Sequence, residues 1–168
     1  ARGDPLVLQS GSGHDPEGAP LAAVIDWTLS RLGDVERALL ERLSVFPVDF
    51  SLEGAERVGA APEPDGCGPA VKPASVLSVL STLVRKSLVD RHSALTEAES
   101  DTGIRTRFMI PGPIRETLMR RAEHAGGLRE RLRDYCFALV ERAAPNLEGH
   151  RQRLSVDVIE SEYPALHR

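Results

Sequence analysis

Residues 73–89 read PASVLSVLSTLVRKSLV. Val76, Leu77, Leu80, Leu83 and Val84 recur at three-and-four spacing, which is the period of one buried face of an α-helix. Ser75, Ser78, Ser81, Thr82, Arg85 and Lys86 fall on the opposite face. The helix runs directly into Leu88 and Val89, and residues 88–91 read as a short strand. Residues 105–110 read as a second one. The polar segment between them, rich in Ser, Thr, Glu and Asp around Gly103, makes the pair a hairpin with a solvated tip.

Upstream of this helix, residues 1–19 hold Gly11, Gly13, Gly18 and Pro16 with little apolar periodicity, and are expected to be an entry segment. Pro20 starts a helix whose stripe is Leu21, Val24, Ile25, Leu29 and Leu32, ended by Gly33. Asp34 and Glu36 favour the positive end of a second helix, with Val35, Leu39, Leu40, Leu43 and Phe46 inward and Pro47 as its stop. The junction is short, so the two helices should pack as neighbours. Ser51 suits the N-cap of a short third helix carrying Leu52, Ala55 and Val58. Residues 61–73 read as a loop.

Downstream, Pro113 launches a helix with Ile114, Leu118, Met119 and Ala122 inward, stopped by Gly126 and Gly127. Another carries Leu128, Leu132, Tyr135, Leu139 and Val140 and ends near Pro145. Residues 154–166 are expected to be helical too, with Pro164 weakening the last turn. The fold class is therefore mainly α with a small β-hairpin. The element order is that of a winged helix-turn-helix followed by C-terminal helices. Leu39, Leu43, Phe46, Leu80, Leu83, Val84 and Leu88 are its expected core.

The bulk composition bounds the function. A hydrophobic fraction of 41% and a charged fraction of 27% are those of a soluble globular protein. Aromatic content of 4% leaves little for stacking single-stranded nucleic acid. No apolar run reaches the length of a membrane span, and the first residues lack a signal-peptide layout, so a cytoplasmic location is expected. Cys67 and Cys136 stand in no metal or redox spacing and should be free thiols. The chain does not begin with Met and ends on Leu166, His167 and Arg168, as a piece of a longer parent would.

Net charge of −4 hides an asymmetry. Residues 1–71 hold five Arg against twelve acids, a net −7, whereas residues 72–125 hold nine Lys and Arg against six acids, a net +3. An anionic partner should meet the middle third.

The wording of the segments carries a family resemblance. Ile25-Asp26-Trp27 with Leu29 and Leu32, Glu36-Arg37-Ala38-Leu39-Leu40, Leu43-Ser44-Val45-Phe46 and Phe50-Ser51-Leu52-Glu53-Gly54-Ala55-Glu56 resemble the winged-helix region of STAND (NB-ARC-type) signal-transduction ATPases. That family includes large bacterial regulators with LuxR-type or SARP-type DNA-binding domains. Leu83-Val84-Arg85-Lys86-Ser87-Leu88-Val89 and Arg107-Phe108 through Ile114-Arg115-Glu116 are similar to its next blocks.

The resemblance implies a parent with a P-loop nucleotide-binding domain, a helical domain, this winged helix and superhelical, TPR-like repeats. On that reading residues 1–19 end the helical domain, 20–125 are the winged helix and 126–168 begin the repeats. ATP or ADP with Mg would belong to the parent, and no cofactor is expected in this chain, which has no glycine-rich phosphate loop. Many relatives carry a Met-His-Asp-like motif whose His touches ADP. Ile110, Pro111 and Gly112 stand there instead, so no nucleotide sensor is carried over.

Lys72, Ser75, Ser78, Thr82, Arg85, Lys86, Arg105 and Arg107 form the expected docking or phosphate-contact face. Arg85 and Lys86 could reach phosphates, yet they also suit a helix C-terminus on dipole grounds. The serines beside them cannot read bases in the bidentate way of Arg, Asn or Gln. Glu97, Glu99 and Asp101 at the wing tip would repel a phosphate backbone. Weak, sequence-independent DNA affinity is expected, and the principal partners are other domains of the same parent. Direct binding to duplex DNA is the alternative.

Trp27 reads first as a core anchor whose indole N–H finds a partner, with docking against a neighbouring domain as the alternative. His14, His92, His124, His150 and His167 have no partner spacing for a metal or a nucleophile. No catalytic group stands out, and the chain is not expected to be an enzyme.

Overall fold

The computed structural model describes residues 18–60, 69–95, 104–121 and 126–146. The expected entry segment before Gly18, Cys67, the acidic wing tip, Ala122 and the expected helix over 154–166 lie outside the described residues. So do His14, His124, His150 and His167.

Helix α1 spans Gly18–Ser30 and α2 spans Asp34–Leu43. They are joined as neighbours through Arg37, whose guanidinium donates to the carbonyls of Leu29 (3.1 Å) and Ser30 (3.3 Å) at the end of α1. The start of α2 is tied by the Gly33 N–H, which donates to Glu36 Oε2 at 3.1 Å. This leaves one fewer orphan donor at the helix end. Contrary to the sequence reading, α2 stops before Phe46. The Ser44 hydroxyl turns back onto the Glu41 carbonyl at 2.7 Å. Phe46 is carried into the core by the following turn, 1% exposed.

A three-residue strand, β1 (Asp49–Ser51), follows. It has no counterpart in the sequence reading. Helix α3 (Leu52–Gly54) then continues into a π-helical turn, Ala55–Gly59. Ser51 is its N-cap as expected, accepting from the Gly54 N–H at 3.1 Å. The π-turn brings Gly59 against α2, where an added Cβ would lie 2.5 Å from Leu39 Cδ1. Only glycine allows that approach without displacing Leu39. Buried Arg42 holds the same turn, donating to the carbonyls of Gly59 (3.0 Å) and Pro69 (3.1 Å).

Helix α4 spans Pro73–Arg85, with Pro73 at its first turn. Strands β2 (Asp90–Leu95) and β3 (Ile104–Met109) form the wing, and β1 adds to it, giving an antiparallel sheet in the order β1-β3-β2. The sheet therefore has three strands rather than the two expected. Arg91 and Phe50 both pair with Phe108 across the central strand. The arrangement α2-β1-α3-α4-β2-β3 is a winged helix-turn-helix, with α4 as the second helix of the turn motif.

Between α4 and β2 the chain turns through Ser87, whose φ is +55°. Leu88 N–H bonds the Leu83 carbonyl at 3.0 Å and Ser87 N–H bonds that of Val84 at 2.9 Å. That pair of bonds is a Schellman motif, and Leu83 and Leu88 are both buried in the same core cluster.

Helices α5 (Gly112–Arg121) and α6 (Gly126–Ala143) follow, the latter ending in a 3-10 turn, Ala144–Asn146. Gly126 and Gly127 open α6 instead of closing α5. Leu128, Tyr135, Cys136 and Leu139 of α6 join the same hydrophobic cluster as Leu39, Leu80 and Phe108. The Tyr135 ring meets Phe46 edge-on, 6.3 Å between centroids, and its hydroxyl lies 3.3 Å from Ser51 Oγ.

Of the expected core, Leu39, Leu43, Phe46, Leu80, Leu83 and Leu88 are buried, while Val84 is only partly so. Five residues read as inward are exposed: Leu21, Val24, Val35, Leu77 and Val140. Leu77 follows Val76 by one residue, about 100° around the axis, and so leaves the stripe shared by Val76, Leu80 and Leu83.

Candidate functional site

The outward face of α4 collects most of the residues singled out from sequence. Lys72, Ser78, Arg85 and Lys86 are exposed, and Ser75 and Thr82 are half-buried. Its polar groups are largely closed on themselves. The hydroxyls of Ser75, Ser81 and Thr82 donate to the carbonyls of Lys72, Leu77 and Ser78. Arg85 donates to Thr82 Oγ1 at 3.0 Å. Lys86 Nζ lies 2.6 Å from Glu36 Oε2 on α2. That ammonium, helped by the Gly33 N–H and against a smaller opposing effect of burial, holds the Glu36 carboxyl below its ordinary pKa.

Arg107 does not extend that face. Arg105 stands on β3 opposite Ala94, and its side chain lies outside what the structure describes. Arg107 is 3% exposed, which removes it from any docking or phosphate-contact surface. Its Nη2 donates to Asp49 Oδ1 at 2.7 Å, and His92 Nε2 lies 3.0 Å from Asp49 Oδ2. This pairing is dictated by register: Arg107 on the central strand is flanked by Ser51 of β1 and His92 of β2. Burial pushes the Asp49 carboxyl up, and the contacts with Arg107 and His92 outweigh it, leaving the pKa lowered. A buried guanidinium needs such a partner. The residues that supply it lie 58 positions apart in sequence.

A second surface lies on α1. Leu21, Val24 and Trp27 follow at three-residue intervals on the outward side of α1 and are 51%, 60% and 60% exposed. Trp27 is therefore not a core anchor. Ile25, Leu29 and Leu32 fill the core side, and Arg31 lies over the Trp27 ring at 4.4 Å. Asp26 beside it holds Arg121 of α5 at 2.7 Å.

Among the described residues no group of three or more His, Cys, Asp or Glu could hold a metal ion, and no helix is long and apolar enough to cross a membrane. Cys136 is buried and forms no disulfide among the described residues.

No family model matches the chain, and no solved structure matches it. It is similar to a Mycobacterium bovis protein named "Putative HTH-type transcriptional regulator", being 31% identical over 136 residues, 80% of this chain. A Mycobacterium tuberculosis protein of that name matches with the same identity and coverage. An uncharacterized Mycobacterium tuberculosis protein is 49% identical over 43 residues, 26% of this chain and 11% of that protein. The chain spans only 14% of the length of the named regulators it matches.

Proposed function

We propose that this chain is a non-catalytic regulatory winged-helix module of a larger cytoplasmic transcriptional regulator, working by docking against other domains of its own protein. The observation that carries this reading is the Leu21, Val24 and Trp27 stripe on α1, an apolar face with a tryptophan 60% exposed. Such a face is costly in water and is what a covered interface requires.

Similarity to regulators of whose length the matched region is 14%, together with the resemblance to STAND ATPases, supports a parent switched by ATP or ADP with Mg. In that parent residues 20–125 form the winged helix and 126–168 open a helical-repeat region. The module needs no cofactor of its own.

The test is made in the full-length regulator. Val24→Ala with Trp27→Ala should alter its resting transcriptional activity, while the fragment alone keeps its melting temperature. Unchanged activity in a reporter assay would remove the docking face.

Direct binding of duplex DNA is the second reading, favoured by the place of α4 in the turn motif and by the relatives' name. The self-bonded hydroxyls and the Lys86–Glu36 pair leave α4 few groups for base edges. A mobility-shift titration at physiological salt should give weak binding without sequence preference. Tight binding to one sequence over random duplex would promote this second reading instead.

A further inference from the structure

Between α5, α6 and the turn after α2 lies a groove of about 830 Å³, within the roughly 300–1,000 Å³ of pockets that hold a single small molecule. Val45, Pro47, Met119, Leu132 and Val140 line it with apolar surface. These walls are fixed by what lies beneath them. Val45 is buried in the hydrophobic cluster, Leu132 packs against that cluster, and Met119 Sδ accepts from the Ser44 hydroxyl at 3.7 Å. The groove is therefore shaped before any ligand arrives.

Two rows of α6 contribute to the lining. Leu132, Cys136 and Val140 stand at four-residue intervals, and so do Arg129, Arg133 and Phe137 in the row beside them. The second row begins with two exposed arginines and ends on a phenyl ring 62% exposed. From α5 the half-buried Arg115 adds a third guanidinium to the same lining. No Asp or Glu lines the groove among the described residues. Arg115 and Arg129 form no ion pair among those residues, and Arg133 meets its exposed neighbour Asp134 at 3.3 Å. Three groups that stay cationic at every physiological pH repel one another around an apolar surface, and an anion relieves that repulsion. The apolar wall calls for a hydrocarbon body attached to the anion.

We infer that this groove binds a small amphipathic anion, a carboxylate carried on an aliphatic chain, with its head held by Arg115, Arg129 and Arg133 and its chain lying along Leu132, Phe137 and Val140. A guanidinium suits such a head because it can give two parallel N–H bonds to one carboxylate. A molecule seated there bridges α5, α6 and the turn after α2, three elements whose sequence positions are far apart. The site is independent of the α1 surface and of what the parent regulates.

The experiment uses the whole chain of 168 residues, with decanoate as the probe in titration calorimetry near neutral pH. Saturable binding of one decanoate per chain is expected. Decanol, with the same chain and no charge, should bind about tenfold more weakly or worse, and decyltrimethylammonium should not bind. Arg129→Gln with Arg133→Gln should weaken decanoate binding by about tenfold or more, while the melting temperature shifts by about 2 °C or less because both side chains are exposed. Phe137→Glu should also weaken binding, and Phe137→Leu should retain it. Absence of saturable decanoate binding, equal affinity for decanol, or an unchanged Kd in the double Gln variant would each overturn the inference. So would sedimentation showing that the chain self-associates and that Phe137→Glu makes it monomeric, since a second copy would then occupy the groove. Retention on phosphatidylglycerol vesicles without binding of free decanoate would overturn it in favour of a membrane surface.

Discussion

Helices α1 and α4 are both thirteen residues long, yet they stand in opposite relations to the protein. In α4 the inward residues Val76, Leu80 and Leu83 are wholly buried, and the outward hydroxyls and charges are matched to partners on the protein itself. In α1 the burial is shallower at Ile25, and the outward side presents Leu21, Val24 and Trp27. The helix that would conventionally meet a ligand is the more self-sufficient one, with Leu77 alone among its large apolar residues exposed. The appended helix is the one left incomplete, which places the demand for a partner on α1.

The largest test of that contrast strikes the inner side of α4. Leu80→Ala removes buried methyl groups and leaves a cavity beneath α4, which packs on α2 and the π-turn, and is expected to cost about 2–5 kcal/mol. Chemical denaturation measures this directly, and a loss below about 1 kcal/mol would break the assignment of α4 as the centre of the core.

Next in size is the pair beneath the wing. Asp49→Asn leaves Arg107 buried with a neutral partner and should cost about 1–3 kcal/mol. Because the folded-state pKa of Asp49 is lowered, its contribution is fully present above the unfolded value of about 3.9 and is lost as pH falls through the folded pKa. Wild-type stability measured from pH 6 down to pH 2 should therefore fall more steeply than that of Asp49→Asn.

Lys86→Ala should cost about 1 kcal/mol or less, since the ion pair with Glu36 is partly solvated. The effect should shrink further in high salt. Smallest of all for the fragment is Trp27→Ala, expected to change its stability by about 0.5 kcal/mol or less. A melting temperature that drops by many degrees in this variant would return Trp27 to the core and erase the contrast.

Much of this architecture was legible in the sequence because local rules act alone there. The α4 stripe, the Ser51 cap and the Pro73 start each depend on a few consecutive residues. Strand β1 was not legible. Three residues carry no alternation to read, and Asp49–Ser51 become a strand only because β3 offers an open edge. Arg107 was misplaced for a related reason, since its partner comes from another strand and charge alone suggests exposure. Trp27 and Leu77 failed differently. A tryptophan or leucine beside a helical stripe is usually buried, and nothing local marks the surfaces where that preference is reversed.

Ser87 carries a consequence for motion. A residue with a side chain held at φ +55° is conformationally costly, and Ser87→Gly would be expected to ease it. What the turn gains is stiffness: swinging the wing away from α4 would sever two backbone hydrogen bonds and drag Leu88 out of the interior. Helix and wing are thereby tied together, so that a displacement imposed on one would be passed to the other through this turn.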